Sequence, residues 1–242
     1  TWLKMAVHYD NLYKTGVLLN VSRSSLLQKD DLFSFDFIAG DNIRYKLDYY
    51  VDKGFYTSYG FQSRYDRFRR DIAFTGFSLN TGDTNIALTR LKNQFYIQSI
   101  FLRQKFLVGI GGEHELYSIK LQPDNFNEKV NYYSAFGYLR YDSLNDAHFP
   151  TEGIYFNATG HWYLHSQGYG ERINPLFLAK ADLGGAWRFS ERLSAKAIFS
   201  GGFHLGLPNA PFLQYVFGGQ GDNLFGNLLP FYGYDYLSFG NY

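Results

Sequence analysis

Apolar and polar positions alternate with a period of two along most of this chain. The clearest run begins after a turn: Ile154, Phe156, Ala158, Gly160, Trp162 and Leu164 fall on one face, Tyr155, Asn157, Thr159, His161 and Tyr163 on the other. Successive side chains of a strand point to opposite faces, so the pattern predicts strands with one dry face and one wet face. Ile43, Tyr45, Leu47, Tyr49 and Val51 stand against Arg44, Lys46, Asp48 and Tyr50 in the same way, as do Phe33, Phe35 and Phe37 against Ser34 and Asp36. About twelve segments fit this reading. They are 2–9, 14–21, 33–37, 43–51, 55–62, 91–101, 106–119, 130–141, 154–164, 176–187 and 193–203, with a twelfth beginning near Phe231, and a polar loop is expected over about 66–85.

An alternating strand of about ten residues is what crossing a bilayer requires, because backbone groups in hydrocarbon must pair sideways into a closed sheet. The spacing of the segments supports this. Long connections, at about 67–85, 119–129, 165–175 and 205–230, share one parity, whereas 103–105 and 190–192 are short and have the other. Long loops on one side and short turns on the other mark an up-and-down membrane barrel. The turn at 142–152 is longer than its side needs. The expected inward set carries Arg44, Lys46, Asp48, Lys92, Lys180, Asp182 and Lys196, each of which would cost about 2–4 kcal/mol on the lipid face near the midplane. Tyr9, Tyr65, Tyr117 and Tyr141, near strand ends, are candidates for an interfacial girdle.

Composition narrows the picture further. With 22 tyrosines and 24 phenylalanines, the mean hydropathy is still −0.29, so apolar residues are dispersed among polar ones. No run approaches the roughly 18 apolar residues of a membrane helix. A net charge of +1, from 23 basic and 22 acidic residues, gives no electrostatic case for nucleic acid. Without cysteine there is neither a disulfide framework nor a thiolate metal site. The start, Thr1-Trp2-Leu3, has no signal-peptide pattern, so we expect either a removed signal or a beginning within a longer polypeptide.

No catalytic constellation emerges. Gly76-Phe77-Ser78-Leu79-Asn80 lacks the second glycine of a nucleophile elbow, and Ser78 reads as a loop serine. His161 and His165 are about 13 Å apart along a strand, too far to share a metal. His114 points away from Glu113 and Glu115, so these three are no ligand set. Gly219-Gln220-Gly221-Asp222-Asn223-Leu224 fails the dinucleotide fingerprint at its third position. We expect no metal and no cofactor.

The turn and strand from Tyr141 to Leu164 resemble the motif of the bacterial surface-antigen barrels, the superfamily of outer-membrane insertases and two-partner secretion transporters. The matching positions are Asp142, then Phe149, Pro150, Thr151, Glu152 and Gly153. Asp142, Phe149, Pro150 and Gly153 are the candidate turn-fixing residues: proline sets its own φ and biases Phe149 to extended geometry, and glycine supplies a positive φ. The resemblance implies a long loop, two strands later, that folds back into the lumen. Phe217, Gly218, Gly219, Gly221 and Gly226 occupy it here, without the arginine found at its tip in insertases and transporters.

Val7-His8-Tyr9-Asp10-Asn11-Leu12-Tyr13-Lys14, Gly40-Asp41-Asn42-Ile43-Arg44-Tyr45, Asp52-Lys53-Gly54-Phe55-Tyr56 and Leu229-Pro230-Phe231-Tyr232-Gly233-Tyr234 resemble, more closely, the barrel half of Bacteroidota patatin-like phospholipases. In these an N-terminal acyl hydrolase, often with a POTRA-like domain, precedes a barrel. The resemblance implies an all-β, antiparallel transmembrane β-barrel over 1–242 in the bacterial outer membrane, with about twelve strands of an expected sixteen or so, incomplete at its C-terminus. It also implies a role in anchoring, and in one version translocating, the hydrolase, with no enzyme activity in this chain. The partners it implies are outer-membrane lipids and the hydrolase domain of the same polypeptide, with a homodimer as a further option and no nucleic acid. The alternatives are a translocating or insertase barrel with POTRA domains, or a soluble β-sandwich, whose strands also alternate.

Overall fold

The computed structural model describes residues 1–10, 14–54, 57–72, 84–103, 105–122, 126–168, 175–206, 213, 215–218, 227–229 and 239–240. Eleven strands form one sheet in simple chain order: β1 (Trp2–Asp10), β2 (Lys14–Ser24), β3 (Asp31–Gly40), β4 (Arg44–Val51), β5 (Ser58–Ile72), β6 (Thr84–Phe101), β7 (Phe106–Gln122), β8 (Phe126–Asp142), β9 (Gly153–Gln167), β10 (Leu176–Ser190) and β11 (Leu193–Leu205). Every neighbouring pair is antiparallel. Three two-residue strands, β12 (Val216–Phe217), β13 (Leu228–Leu229) and β14 (Phe239–Gly240), make a separate small sheet.

Register assigns each residue to a face, since directly paired residues point the same way. One row reads Asp36, Lys46, Arg64, Lys92, Glu115, Tyr132, Ser166 across β3 to β9. Three residues along, a row on the opposite face reads Phe33, Tyr49, Phe61, Phe95, Gly112, Ala135, Trp162, Phe177 across β3 to β10. All seven charges expected to point inward, Arg44, Lys46, Asp48, Lys92, Lys180, Asp182 and Lys196, share the polar face.

Burial then inverts the pattern of a soluble protein. On the polar face Glu115 is 1% exposed and Arg90 3%, while on the apolar face Ile110 is 59%, Phe95 55%, Trp162 54% and Phe199 69% exposed. A β-sandwich would bury the apolar face. Here the apolar face is the outer one, continuous over the sheet, and far larger than a monomer in water tolerates. On β7 it runs from Phe106 to Leu116, interrupted at His114, over about 33 Å along the strand and roughly 24 Å in height at a barrel tilt near 45°, the depth of a hydrocarbon layer.

Two expectations are corrected. Both ends of the span read as a polar loop at about 66–85 are strand: β5 and β6 stay paired from Ser58↔Gln98 to Ile72↔Thr84, and 73–83 fall outside the described residues. These strands, with β7 and β8, are 15, 18, 17 and 17 residues long. They run past the hydrocarbon, where ladder hydrogen bonds hold a strand whatever its side chains. Tyr117 is not a girdle residue. It is 2% exposed on the polar face, with Arg90 Cζ 5.4 Å from its ring centroid. Tyr9, Tyr65 and Tyr141 do lie on the apolar face. The strand expected near Phe231 falls outside the described residues.

Ile110→Arg places a charge near the middle of the outer band. Unfolding by urea in lipid vesicles should show a loss of about 2–4 kcal/mol; unchanged stability would mean that this face does not meet hydrocarbon.

Candidate functional site

The turn between β8 and β9 is built by short polar side chains. Asp142 Oδ1 accepts the Leu144 N–H at 2.9 Å, and the Asp142 N–H donates to Lys105 O at 2.8 Å, tying the turn to its neighbour. Ser143 Oγ donates to Ile154 O at 2.9 Å and accepts the Ile154 N–H at 3.0 Å. Asn145 Oδ1 accepts the N–H groups of Thr151 and Glu152 at 3.0 and 3.1 Å. Asp146 Oδ1 accepts those of His148 and Phe149, both at 2.8 Å, which holds its carboxyl below the usual carboxylate range.

Of the residues singled out from sequence, Gly153 has φ 112°, and a Cβ there would run into the Ser143 carbonyl. Pro150 is buried. The Phe149 ring is 85% exposed, so its fixed part is its backbone. Sequence reasoning missed Ser143, Asn145 and Asp146, whose roles depend on backbone groups several residues away. It also missed Arg188 of β10, which reaches Thr151 Oγ1 at 2.7 Å and Glu152 Oε1 at 3.2 Å.

The polar face of β5 to β9 carries an ion network. Arg90 pairs with Glu115, and Lys92 Nζ sits 2.7 Å from Glu113 and 3.5 Å from Glu115. Ser134 Oγ and Gln94 Nε2 donate to Glu113, and His161 Nδ1 approaches it at 3.4 Å. The Tyr117 hydroxyl donates to Glu115 at 3.2 Å. Tyr132 packs edge-on against both Tyr117 and Tyr163, with ring centroids 5.8 Å away in each case. Burying charges this deeply is tolerable only when each finds several partners.

Tyr215, beyond β11, lies on this same face. The Tyr215 hydroxyl meets the carbonyls of Ala179 and Phe203, and its ring occupies the space a Cβ at Gly202 would fill. Gly202 pairs with Lys180, so this is the polar side of the sheet. Leu213, Asn227 and Leu229 are buried with it. Gly218 takes φ 119°, and its N–H reaches Leu229 O at 3.3 Å. Of the other residues in the expected infolded loop, the Phe217 backbone is in β12, while Gly219, Gly221 and Gly226 fall outside the described residues.

His161 and His165 end on opposite faces. A bulge at Leu164 shifts the register, so that Tyr163 pairs with Ser134 but His165 with Tyr133. Among the described residues no group of histidines and carboxylates could hold a metal.

A wide antiparallel sheet with its apolar side out and a chain segment folded onto its charged inner side is the design of one class of membrane barrel. The profile of the OMP85 superfamily matches residues 1–242. The chain belongs to the OMP85 superfamily. It is a bacterial outer-membrane β-barrel protein. The fold is similar to that in the crystal structure of BamA from Haemophilus ducreyi lacking POTRA domains 1–3, with a TM-score of 0.68 at 12% identity. That likeness covers 91% of this chain and 44% of the BamA chain, so this OMP85 chain spans less than half of its structural relative. No curated protein matches it.

The ion network gives a stability prediction. Glu115→Ala, which leaves Arg90 buried without its main partner, should cost about 3–5 kcal/mol in vesicle unfolding, whereas Arg90→Met with Glu115→Leu should be close to neutral. Equal cost for the single and double variants would contradict the pairing.

Proposed function

We propose that this barrel is the membrane anchor of a patatin-type lipid acyl hydrolase carried by the same polypeptide. The observation that carries the anchoring role is the burial of the inner side of β6 to β10. Glu115, Arg90, Tyr132 and Leu176 are each 3% exposed or less, and Tyr215 packs over β10 and β11. The wall of an open conduit would leave such side chains wet, as the lumen of a porin does. An inner face packed in this way over β6 to β10 suits a module that holds something at the membrane.

The hydrolase identity draws on the four separate motifs, from Val7 to Tyr234, that resemble patatin-linked barrels in order along the chain. It also draws on the stretch Asp222-Asn223-Leu224-Phe225-Gly226, which lacks the arginine of insertase and transporter loop tips.

The test uses the full-length polypeptide in outer-membrane fractions, with a protease site inserted immediately ahead of Thr1. Before cleavage, acyl-ester hydrolysis should sediment with the membrane; after cleavage it should appear in the supernatant while the barrel stays in the pellet. Absence of acyl-ester hydrolysis from the full-length protein, or delivery of a separate polypeptide across the membrane, would replace this reading with that of a translocating barrel.

A further inference from the structure

The outer face of β5 to β9 is not uniformly apolar. It holds a shallow groove floored by Gly137 and Gly160 and walled by Phe95, Ile110 and Trp162, and register sets Gly112 on the same face between Phe95 and Ala135. A Cβ at Gly112 would meet nothing within 4 Å, and one at Gly137 only ordinary contacts at 3.7 Å. The protein's own packing therefore does not demand glycine at either place. Their effect is to keep the groove open.

One step towards the end that carries the 73–83 connection, a polar ladder crosses four strands on this same apolar side. Ser63 Oγ donates to Asn93 Oδ1 at 2.8 Å, Asn93 Nδ2 lies 3.5 Å from His114 Nδ1, and His114 Nε2 lies 3.1 Å from Asn131 Oδ1. Tyr45 closes the chain at Ser63, at 3.3 Å. The directions fit one tautomer, with His114 protonated on Nε2. On the outer side of β7, Gly112 to His114 is about 7 Å along the strand.

Beyond the ladder the outer face turns cationic. Register places Arg67, Thr89, Ser118 and Lys129 in one row, and Arg69, Ala87, Lys120 and Asn127 in the next. The four cations lie within four adjacent strands, a width of about 15 Å. Arg69, Lys120 and Lys129 are exposed, Arg67 is half-buried, and none has an ion pair among the described residues. The connection 73–83, the longest within the eleven-stranded sheet, joins β5 to β6 at this end; long loops of an outer-membrane barrel face outward, which assigns these cations to the outer leaflet's headgroup level.

Groove and cations thus stack in the order of an amphiphile, acyl chain and then phosphate, with the hydrogen-bonding groups of the ladder between them. We infer that this strip is a binding site for a phosphate-bearing lipid of the outer leaflet, with a chain laid over Gly112 and Gly137 and the phosphates held by Arg67, Arg69, Lys120 and Lys129. Clustered Lys and Arg beside an apolar surface recognise anionic lipid, and guanidinium groups fork onto phosphate oxygens.

The test is native mass spectrometry of the full-length protein extracted in mild detergent. The probes are a diphosphorylated acylated glucosamine disaccharide lipid, the same lipid without phosphates, and inorganic phosphate as competitor. The wild-type protein should prefer the phosphorylated lipid by roughly tenfold or more, undisturbed by inorganic phosphate at equal concentration. Replacing the four cations by glutamine should abolish the preference, and Gly112→Phe should weaken binding of both lipids. Folded state is checked for each variant by its migration on unheated gels. If a variant does not fold, the wild-type series alone decides. No preference for phosphate, full displacement by inorganic phosphate, or wild-type binding by both folded variants would each overturn the site.

Discussion

A backbone N–H or C=O left unpaired in hydrocarbon costs several kcal/mol, and everything in this OMP85 chain follows from that penalty. It forbids loops at membrane depth, so the strands must be long and joined only at their ends. It forces lateral pairing, and with pairing comes the strict alternation that sorts Phe35, Leu47 and Ile110 to one side and Asp36, Lys46 and Glu113 to the other. Turn chemistry at 143–152 is the complement of the same rule. Where the chain reverses, Ser143, Asn145 and Asp146 supply the partners that the sheet no longer does.

The inner face obeys a second constraint. Once covered, it must satisfy its own charges, and it does so in a network rather than in isolated pairs: Glu113 and Glu115 share Lys92, and Arg90 also lies against the Tyr117 ring. Such networks add little net stability relative to apolar packing, but each member is costly to remove. They rigidify a wall whose hydrophobic side has no protein core behind it. The segment around Tyr215 covers β10 and β11, with Gly202 omitting the side chain that would keep it away.

Strand positions were legible in the sequence because lipid on one face leaves no latitude in the alternation. The reading failed where that pressure lapses. Above the hydrocarbon, Asp66 faces inward while Arg67 and Arg69 face outward, so β5 looks like a loop although its ladder is intact. Asn93 and His114 interrupt the apolar side and look like noise in any single strand; only register shows that they line up with Ser63. The bulge at Leu164 has no local signal and reverses the face of His165. In the turn, the Pro150 and Gly153 positions were readable from backbone preferences, whereas the role of Asn145 depends on how the chain returns.

The central claim, that hydrocarbon touches the apolar side of these strands, is open to direct measurement because the chain contains no cysteine. Spin labels at single cysteines along β7, in the reconstituted full-length protein, report collision with oxygen, which partitions into lipid, or with a water-soluble nickel complex. Labels at Val108, Ile110 and Gly112 should favour oxygen, while those at Leu107, Gly109 and Gly111 should be shielded from it. Uniform oxygen access at all six positions, or the reverse alternation, would contradict the account.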